Sequence, residues 1–426
     1  MYKIIVAHPH QQHSYRLATA LQKAGWLESY ITTVYLKKGS LTEKILCCLK
    51  GINKEKAAKR RCEQLPDTKV IQIGENFGLF YLLLMRLCHN DKRIMFRYNR
   101  IESIYFGRRV AKYAIKHKVN AVIGYDSECT EMFKYLKKNA PHIIRIMDVS
   151  AANRIYMKEI YIRDMKVSPD FAQRLARERV ELFASCSQME MKKLENEISD
   201  ADYFLAPSAF VKESLRFSGV KEHQMLLCPY GVDLSNFPRK NCFKVGNPIE
   251  AIYVGGIKQL KGISYLLKAF NEIDPQVAHL TVVGAADASD EDILPYIRNV
   301  SFTGTVVHSQ ISYLLQKSNI FVFPSLGDSF SLSALEAAAS GLPLIVSNNT
   351  GMIDGMQDGK EGFIIPVSSK DAIMKKVLWF SKNKEQIETM GKAAAEMAKR
   401  FTWEKYYDRV NTELTTVLEN KQTVEY

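Results

Sequence analysis

Two carboxylates, Asp328 and Glu336, stand eight positions apart in "FPSLGDSFSLSALEAAASGLP", residues 323–343. No Lys or Arg occurs between Ser318 and Gly359. A short apolar run ends at Pro324. A helix is predicted from about Ser331, with Gly341 and Pro343 as its stop. Ser329 or Ser331 can serve as N-cap, and the first N–H groups, at Ser331 and Leu332, suit an anion. Glu336 falls on the helix face expected to pack inward, where a carboxylate must find donors. With no cation nearby in sequence, ligand hydroxyls are suitable donors. A partly exposed Glu paired with a distant Lys is the plainer alternative.

Three further loops carry candidate chemistry. In "YVGGIKQLKGISYLL", from Tyr253, a strand runs into Gly255–Gly256 and a helix opens after Lys261–Gly262. Paired glycines let a backbone approach a ligand, the helix start offers N–H groups to an anion, and Lys258 and Lys261 add positive charge. A tight strand-to-helix turn with solvated lysines is the competing reading. In "VAHPHQQHSYRLATAL" a strand ends at His8 and Ser14 can cap a helix. No carboxylate or Cys joins His8, His10 and His13 in a metal set, so His10, His13 and Ser14 read as a polar loop facing substrate. In "IRIMDVSAANR", Asp148 closes a strand, where it can cap, turn or act on substrate. The "DASDED" run, residues 287–292, reads as a helix cap rather than a metal site.

The elements that must hold these loops alternate between short apolar runs and helical patterns. "KIIVAH", "KVIQI", "NAVIGY", "HIIRIMD" and "DYFLAPS" are strand candidates in the first half. "MLLCPYG", "EAIYVGG", "LTVVGA", "VSFTG", "IFVFPS", "LPLIVSN" and "GFIIPV" follow in the second. They lack polar alternation, as expected of parallel strands buried on both faces. Helical stretches such as "GISYLLKAFNEI" supply the crossovers, which implies open parallel α/β sheets. Two such sheets fit the length, with a break near Gly219: residues 1–219, residues 220–402, and a closing helix over 403–426. Ligands of such sheets bind beyond the carboxyl ends of the strands.

The 426 residues exceed one ordinary core. The eight Cys are scattered without a CxxC, which suits a reducing cytoplasm rather than a disulfide framework. The start, "MYKIIVAHPH", reads as a strand and not as a leader. The most apolar window, "FGLFYLLLMRLC", residues 77–88, is too short to span a bilayer. The net charge of +13 is uneven: residues 1–150 hold 27 Lys+Arg against 12 Asp+Glu, and the remainder is nearly balanced. An anionic partner for the first third follows.

Taken together the segments resemble retaining glycosyltransferases of family 4, which have the GT-B fold. The resemblance runs from about Ala201 to Trp403 through "ADYFLAPSAFVKESL", "LLCPYGVDLSNF", "VGGIKQLKGISYLLKAF", "LTVVGAA", "VSFTGTV", "EAAASGLPLIVSNNTG", "DGKEGFIIP" and "FTWEKY". The first 200 residues match only in outline. The resemblance implies two Rossmann-like domains facing a cleft, acceptor side first and nucleotide-sugar side second, with the last helix packing back on the first domain. It implies that Lys261 contacts the donor diphosphate and that Gly255 and Gly256 shape its loop. Ser329, Phe330, Ser331 and Leu332 would approach the donor sugar and phosphate. Asp328 would accept from sugar hydroxyls, Glu336 from the ribose, and the backbone at Thr305 and Val306 would meet the base. Both carboxylates would then need no cationic neighbour. The family's Arg is Gly256 here, which leaves Lys258 as a point charge. The glycines that flank Phe330 in the family are Ser329 and Ser331. Asp148 stands where many members carry a cleft His, so Asp148, Lys261 and Asp328 are the catalytic candidates.

The expected donor is a UDP- or GDP-linked sugar, with no metal or other cofactor required, because Lys261 and helix N-termini can neutralise the leaving diphosphate. An inverting GT-B enzyme or nucleotide-sugar epimerase is the nearest alternative. A catalytically idle relative and a nucleic-acid binder are the others, and no nucleic-acid-binding signature occurs. Residues 36–61, "LKKGSLTEKILCCLKGINKEKAAKRR", have the outline of an interfacial amphipathic helix, with Leu41, Ile45, Leu46, Leu49 and Ile52 on one face. A peripheral site at the inner face of the plasma membrane and a lipid-linked glycan acceptor follow as expectations.

Overall fold

The computed structural model describes residues 2–10, 13–47, 60–87, 92–183, 187–240, 245–285 and 290–424. Two sheets dominate it, and all strand pairings are parallel. The first holds β1 (Ile4–Ala7), β2 (Leu27–Thr32), β3 (Val70–Gln72), β4 (Ala121–Tyr125), β5 (Ile144–Asp148), β6 (Tyr203–Ala206) and β7 (Met225–Leu227), in the order 3-2-1-4-5-6-7. The second holds β8 (Ile249–Val254), β9 (Ala278–Val283), β10 (Val300–Gly304), β11 (Ile320–Phe323), β12 (Leu344–Ser347) and β13 (Gly362–Ile365), in the order 10-9-8-11-12-13. The strand order reverses between β1 and β4 in one sheet and between β8 and β11 in the other. At such a point two adjacent crossovers leave on opposite faces and open a crevice. The loops after β8 and β11 therefore converge, and so do those after β1 and β4.

The strands are apolar because helices cover both faces. β1, β4, β5, β11 and β12 are buried at every position. β2 was not among the expected strands. Its sequence, LESYIT, mixes polar with apolar residues, and its buried Ser29 hydroxyl is matched by the Tyr113 hydroxyl at 3.1 Å. The break near Gly219 is corrected: β7 lies beyond it yet pairs with β6, so the sheets divide between Leu227 and Ile249. The signal was misleading because a Gly-terminated helix followed by an apolar run opens a strand of either sheet equally well.

The chain crosses back at its end. The Trp403–Val424 helix packs along the Ser14–Lys23 helix, where Arg16 Nη1 donates to the Tyr407 hydroxyl at 3.2 Å and Lys23 meets Glu404 at 3.3 Å. Just before that helix, Val232 N donates to Phe401 O at 2.9 Å. The second domain is thus bracketed by two strands of chain that return to the first.

Candidate functional site

A cavity of about 450 Å³ lies between the sheets, a volume typical of small-molecule sites. His13, Ser150 and Tyr230 form one wall; Gly255, Lys261 and residues 328–333 form the other.

Lys261 ends a 3-10 turn, Gln259–Lys261, directly before the Ile263–Glu272 helix. Gly262 joins them at φ +73, and a Cβ there would lie 2.0 Å from Pro324 O, so the turn needs glycine on both counts. Lys261 Nζ pairs with Asp328 Oδ2. The other Asp328 oxygen accepts from Phe330 N at 3.2 Å and Ser331 N at 2.6 Å. Burial alone would raise the Asp328 carboxyl; Lys261 and the Ser331 contacts outweigh it and hold the group below its ordinary value. Ser331 precedes the Leu332–Ala339 helix in the left-handed region, φ 63 and ψ 66, and its side chain makes no cap.

Two expectations change here. Neither carboxylate lacks a cationic or donor neighbour: Asp328 has Lys261, and Glu336 has the His308 ring nitrogen at 3.1 Å. Both partners come from loops distant in sequence. Neither Ser329 nor Ser331 caps the helix through its side chain, and the Ser331 amide expected to face a ligand is taken up by Asp328. Ser329 reaches across the cleft, donating its hydroxyl to Ser150 O at 2.7 Å. Ser150 in turn donates through its amide and hydroxyl to Asp126 Oδ1 at 2.9 and 2.7 Å.

Glu336 is mostly buried, with a side chain 16% exposed, and its partner His308 follows the Thr305–Val306 stretch. Thr305 is exposed and Val306 half-buried, and neither lines the cavity. Gly256 leaves open space: a Cβ there would meet only the Lys258 side chain, at 3.5 Å. Lys258 itself is exposed and outside the cavity lining.

On the other wall, His13 packs its ring 4.8 Å from that of Tyr230. Burial, then Arg16, lowers its imidazole below the ordinary value. His10 lies apart from this cavity, stacked on Tyr81 at 4.4 Å, with its Nε2 3.6 Å from Glu102. Burial and Arg60 lower His10 to about 4, while burial and Glu128 raise Glu102 to about 8. Ser14 does not line the cavity: it is fully buried as the first residue of its helix, its hydroxyl bonded to Tyr30 at 2.9 Å. Asp148 closes β5. It is 2% exposed and does not line the cavity; the Tyr230 hydroxyl donates to it at 3.4 Å and stands on the cleft side. Burial and then Asp126 push its carboxyl up to about 7.

Among the described residues, no group of three or more His, Cys, Asp or Glu could hold a metal ion. The first three residues of the "DASDED" run lie outside the described residues; Asp292 pairs with Arg174 at 2.5 Å. Ser150, Tyr230 and His308 went unread as site residues. Ser150 and Tyr230 stand in segments singled out above, but pattern alone does not tell a cleft serine or tyrosine from a core one.

Residues 237–397 match the family model described as Glycosyl transferases group 1. Two curated relatives are the sulfoquinovosyl transferase SQD2 of Arabidopsis thaliana and a D-inositol 3-phosphate glycosyltransferase of Paenarthrobacter aurescens. The first is 28% identical over 228 residues, 50% of this chain and 44% of that protein. The second is 26% identical over 201 residues, 42% of this chain and 48% of that protein. The chain thus spans about half the length of the curated relatives it matches. Among solved structures, sucrose-phosphate synthase from Thermosynechococcus elongatus superposes with TM-score 0.68 at 17% identity, covering 99% of this chain and all of that one. Anabaena HepE in complex with UDP and glucose gives 0.62 at 13% identity, covering 98% of this chain and 100% of that one. The fold, two parallel-sheet α/β domains about a cleft, is GT-B.

Proposed function

We propose that this protein is a retaining glycosyltransferase of family 4 that moves a sugar from a UDP- or GDP-linked donor to a hydroxyl of a glycan acceptor. The observation that carries the reading is the joining of Lys261 and Asp328 at the mouth of the interdomain cavity, within the stretch that matches Glycosyl transferases group 1. HepE, a neighbour in fold, is known with UDP and glucose bound.

The donor diphosphate lies against Lys261, whose charge strengthens its hold as the phosphate oxygen takes up negative charge in the transition state. No divalent ion is required in this scheme. Asp328 has one oxygen engaged by two amides and the other by Lys261. Each oxygen has two lone pairs, so sugar hydroxyls can still donate to the Lys261-facing one. Glu336 accepts from the ribose hydroxyls, with His308 steadying it. The acceptor enters between His13 and Ser150 and its hydroxyl attacks the anomeric carbon from the face the diphosphate leaves, the hydroxyl proton passing to the departing phosphate oxygen. Retention therefore needs no protein nucleophile. The Ser329–Ser150 bond draws the two walls together and excludes water that would hydrolyse the donor.

The acceptor is a lipid-linked glycan, and the chain works at an anionic membrane surface in polysaccharide or glycolipid synthesis. Support comes from the first domain, where Leu41, Ile45, Phe80, Leu83, Met85, Leu87 and Ile101 expose apolar surface. Lys38, Lys44 and Arg100 are exposed on the same helices and their flanks. The deciding experiment is thermal unfolding with UDP, GDP and their sugars. A nucleotide at 100 times its Kd should stabilise the fold by about 2.7 kcal/mol. No shift with any of them, together with no transfer to a glycan, overturns the reading. Transfer with inversion at the anomeric carbon overturns retention alone.

A further inference from the structure

The loop that carries Lys261 belongs to the second sheet, but much of its polar backbone is satisfied by chain from the first. Between β5 and β6 the chain makes a long helical excursion, residues 149–202. It starts at Ser150 and Ala151, on the cavity wall, and is capped by Asn153, whose Oδ1 accepts from Ile155 N at 2.8 Å. It then runs through the Arg154–Val167 helix to the Ala172–Glu178 helix, which lies against the Gln259–Lys261 turn.

The contacts there are aimed at backbone. Glu178 Oε1 accepts from Gln259 N at 2.8 Å, and Oε2 from Leu260 N at 3.0 Å. Arg174 Nη2 donates to Ile257 O at 2.7 Å, and its Nε lies 3.4 Å from the Glu178 carboxylate. Asp164 accepts from the Gln259 side chain at 2.7 Å and from the Tyr265 hydroxyl at 2.6 Å. Arg174, Asp164 and Gln259 are all at least nine-tenths buried. From the opposite side, Leu260 O accepts from Leu326 N at 3.1 Å and from the Ser325 hydroxyl at 3.2 Å. The loop is thus gripped between the other domain's excursion and its own domain's β11 loop.

We propose that Glu178 and Arg174 are positioning residues, a clamp through which the acceptor-side domain sets Lys261 in its cleft-facing place. A charged carboxylate that accepts two adjacent amides fixes the turn's orientation as well as its position. Lys261 follows those amides directly, so a turn released from Glu178 lets the ammonium leave Asp328 and the donor phosphate. The inference rests on the reading of Lys261 as the donor-phosphate residue, and adds that its placement depends on the opposite domain. The run of chain from Ser150 through the Arg154–Val167 and Ala172–Glu178 helices links the cavity wall to the clamp.

The test uses Glu178→Gln, which keeps the size but leaves one acceptor oxygen for two amides. Arg174→Lys is the second variant; it keeps the charge and loses the fork. Hydrogen exchange without ligand should quicken at least tenfold across residues 259–261, while the buried strands β8 and β11 keep their rates. Unchanged exchange in both variants overturns the clamp. The second arm is a cycle with Lys261→Ala, read as affinity for UDP and GDP. Glu178→Gln should weaken binding about tenfold when Lys261 is present and less than twofold when it is absent. Equal losses in both backgrounds overturn action through Lys261. If wild type binds neither nucleotide, the donor reading falls, and the exchange result alone decides the clamp.

Discussion

Asp148 illustrates how a residue at the end of a strand acquires its chemistry from what covers it. The segment "IRIMD" ends at the carboxyl edge of the first sheet, where a catalytic acid would stand. Tyr230 lies over it, and burial with Asp126 lifts its carboxyl to about 7 against an ordinary 3.8. An acid whose folded pKa lies above its unfolded one binds its proton more tightly when folded. Its effect on stability therefore worsens as pH rises from about 4 to about 7, and is level above that. At one pKa unit per 1.36 kcal/mol, the ionised form costs on the order of 4 kcal/mol. Asp148→Asn should remove this dependence while its amide oxygen still accepts from Tyr230. The variant should melt higher than wild type at pH 8, with a smaller gain at pH 5, and should keep turnover within about threefold. A folded variant with abolished transfer would return Asp148 to the reacting atoms.

The turn before the Leu332–Ala339 helix shows an element assembled against local preference. Ser331 is held at φ 63 by hydrogen bonds from its own amide and that of Phe330 to Asp328, a conformation that costs a side-chain-bearing residue about 1–2 kcal/mol. Glycine removes that cost but adds freedom to the unfolded chain worth about 0.4–1 kcal/mol. Ser331→Gly should therefore gain about 0.5–1 kcal/mol in urea unfolding, the difference between these terms. A loss of stability instead would mean that the Ser331 side chain itself holds the turn. Gly262 is the reverse case: its positive φ and the nearby Pro324 carbonyl leave no room for alanine.

At the scale of the whole molecule, chain crosses between the domains at Val232–Phe401 and along the Trp403–Val424 helix, and the first domain exposes apolar side chains such as Leu41, Ile45 and Phe80. No helix of the described residues is long and apolar enough to cross a membrane. Much of the amphipathic segment expected over residues 36–61 lies outside the described residues. Its start forms the Leu41–Cys47 helix, where Leu41 is 41% and Ile45 44% exposed. Each basic side chain near an anionic surface adds about 1 kcal/mol, so several hold a protein there reversibly. Co-sedimentation with vesicles of phosphatidylserine and phosphatidylcholine should be strong at low salt and weak at high salt. It should fall when Lys38 and Lys44 become Gln, and neutral vesicles should not bind. Absence of binding to anionic vesicles at low salt would direct the acceptor towards a soluble glycan.

The parallel sheets and the loops that face the cleft were legible in the sequence. Buried strands must be apolar throughout, and a ligand loop must interrupt them with Gly, Ser or charge, so "YVGGIKQLKG" and "FPSLGDSFS" stand out by composition alone. β2 was hidden because its polar residues find partners only in the folded chain, as Ser29 does in Tyr113. The partners of the site residues were hidden for the same reason. Lys261 and Asp328 are 67 positions apart, His308 and Glu336 28, and Ser150 and Ser329 179. Local pattern records which side chain will be buried, because burial follows the periodicity of its own element. Which donor meets it is decided by how two sheets and one long excursion pack, and that depends on the whole chain at once.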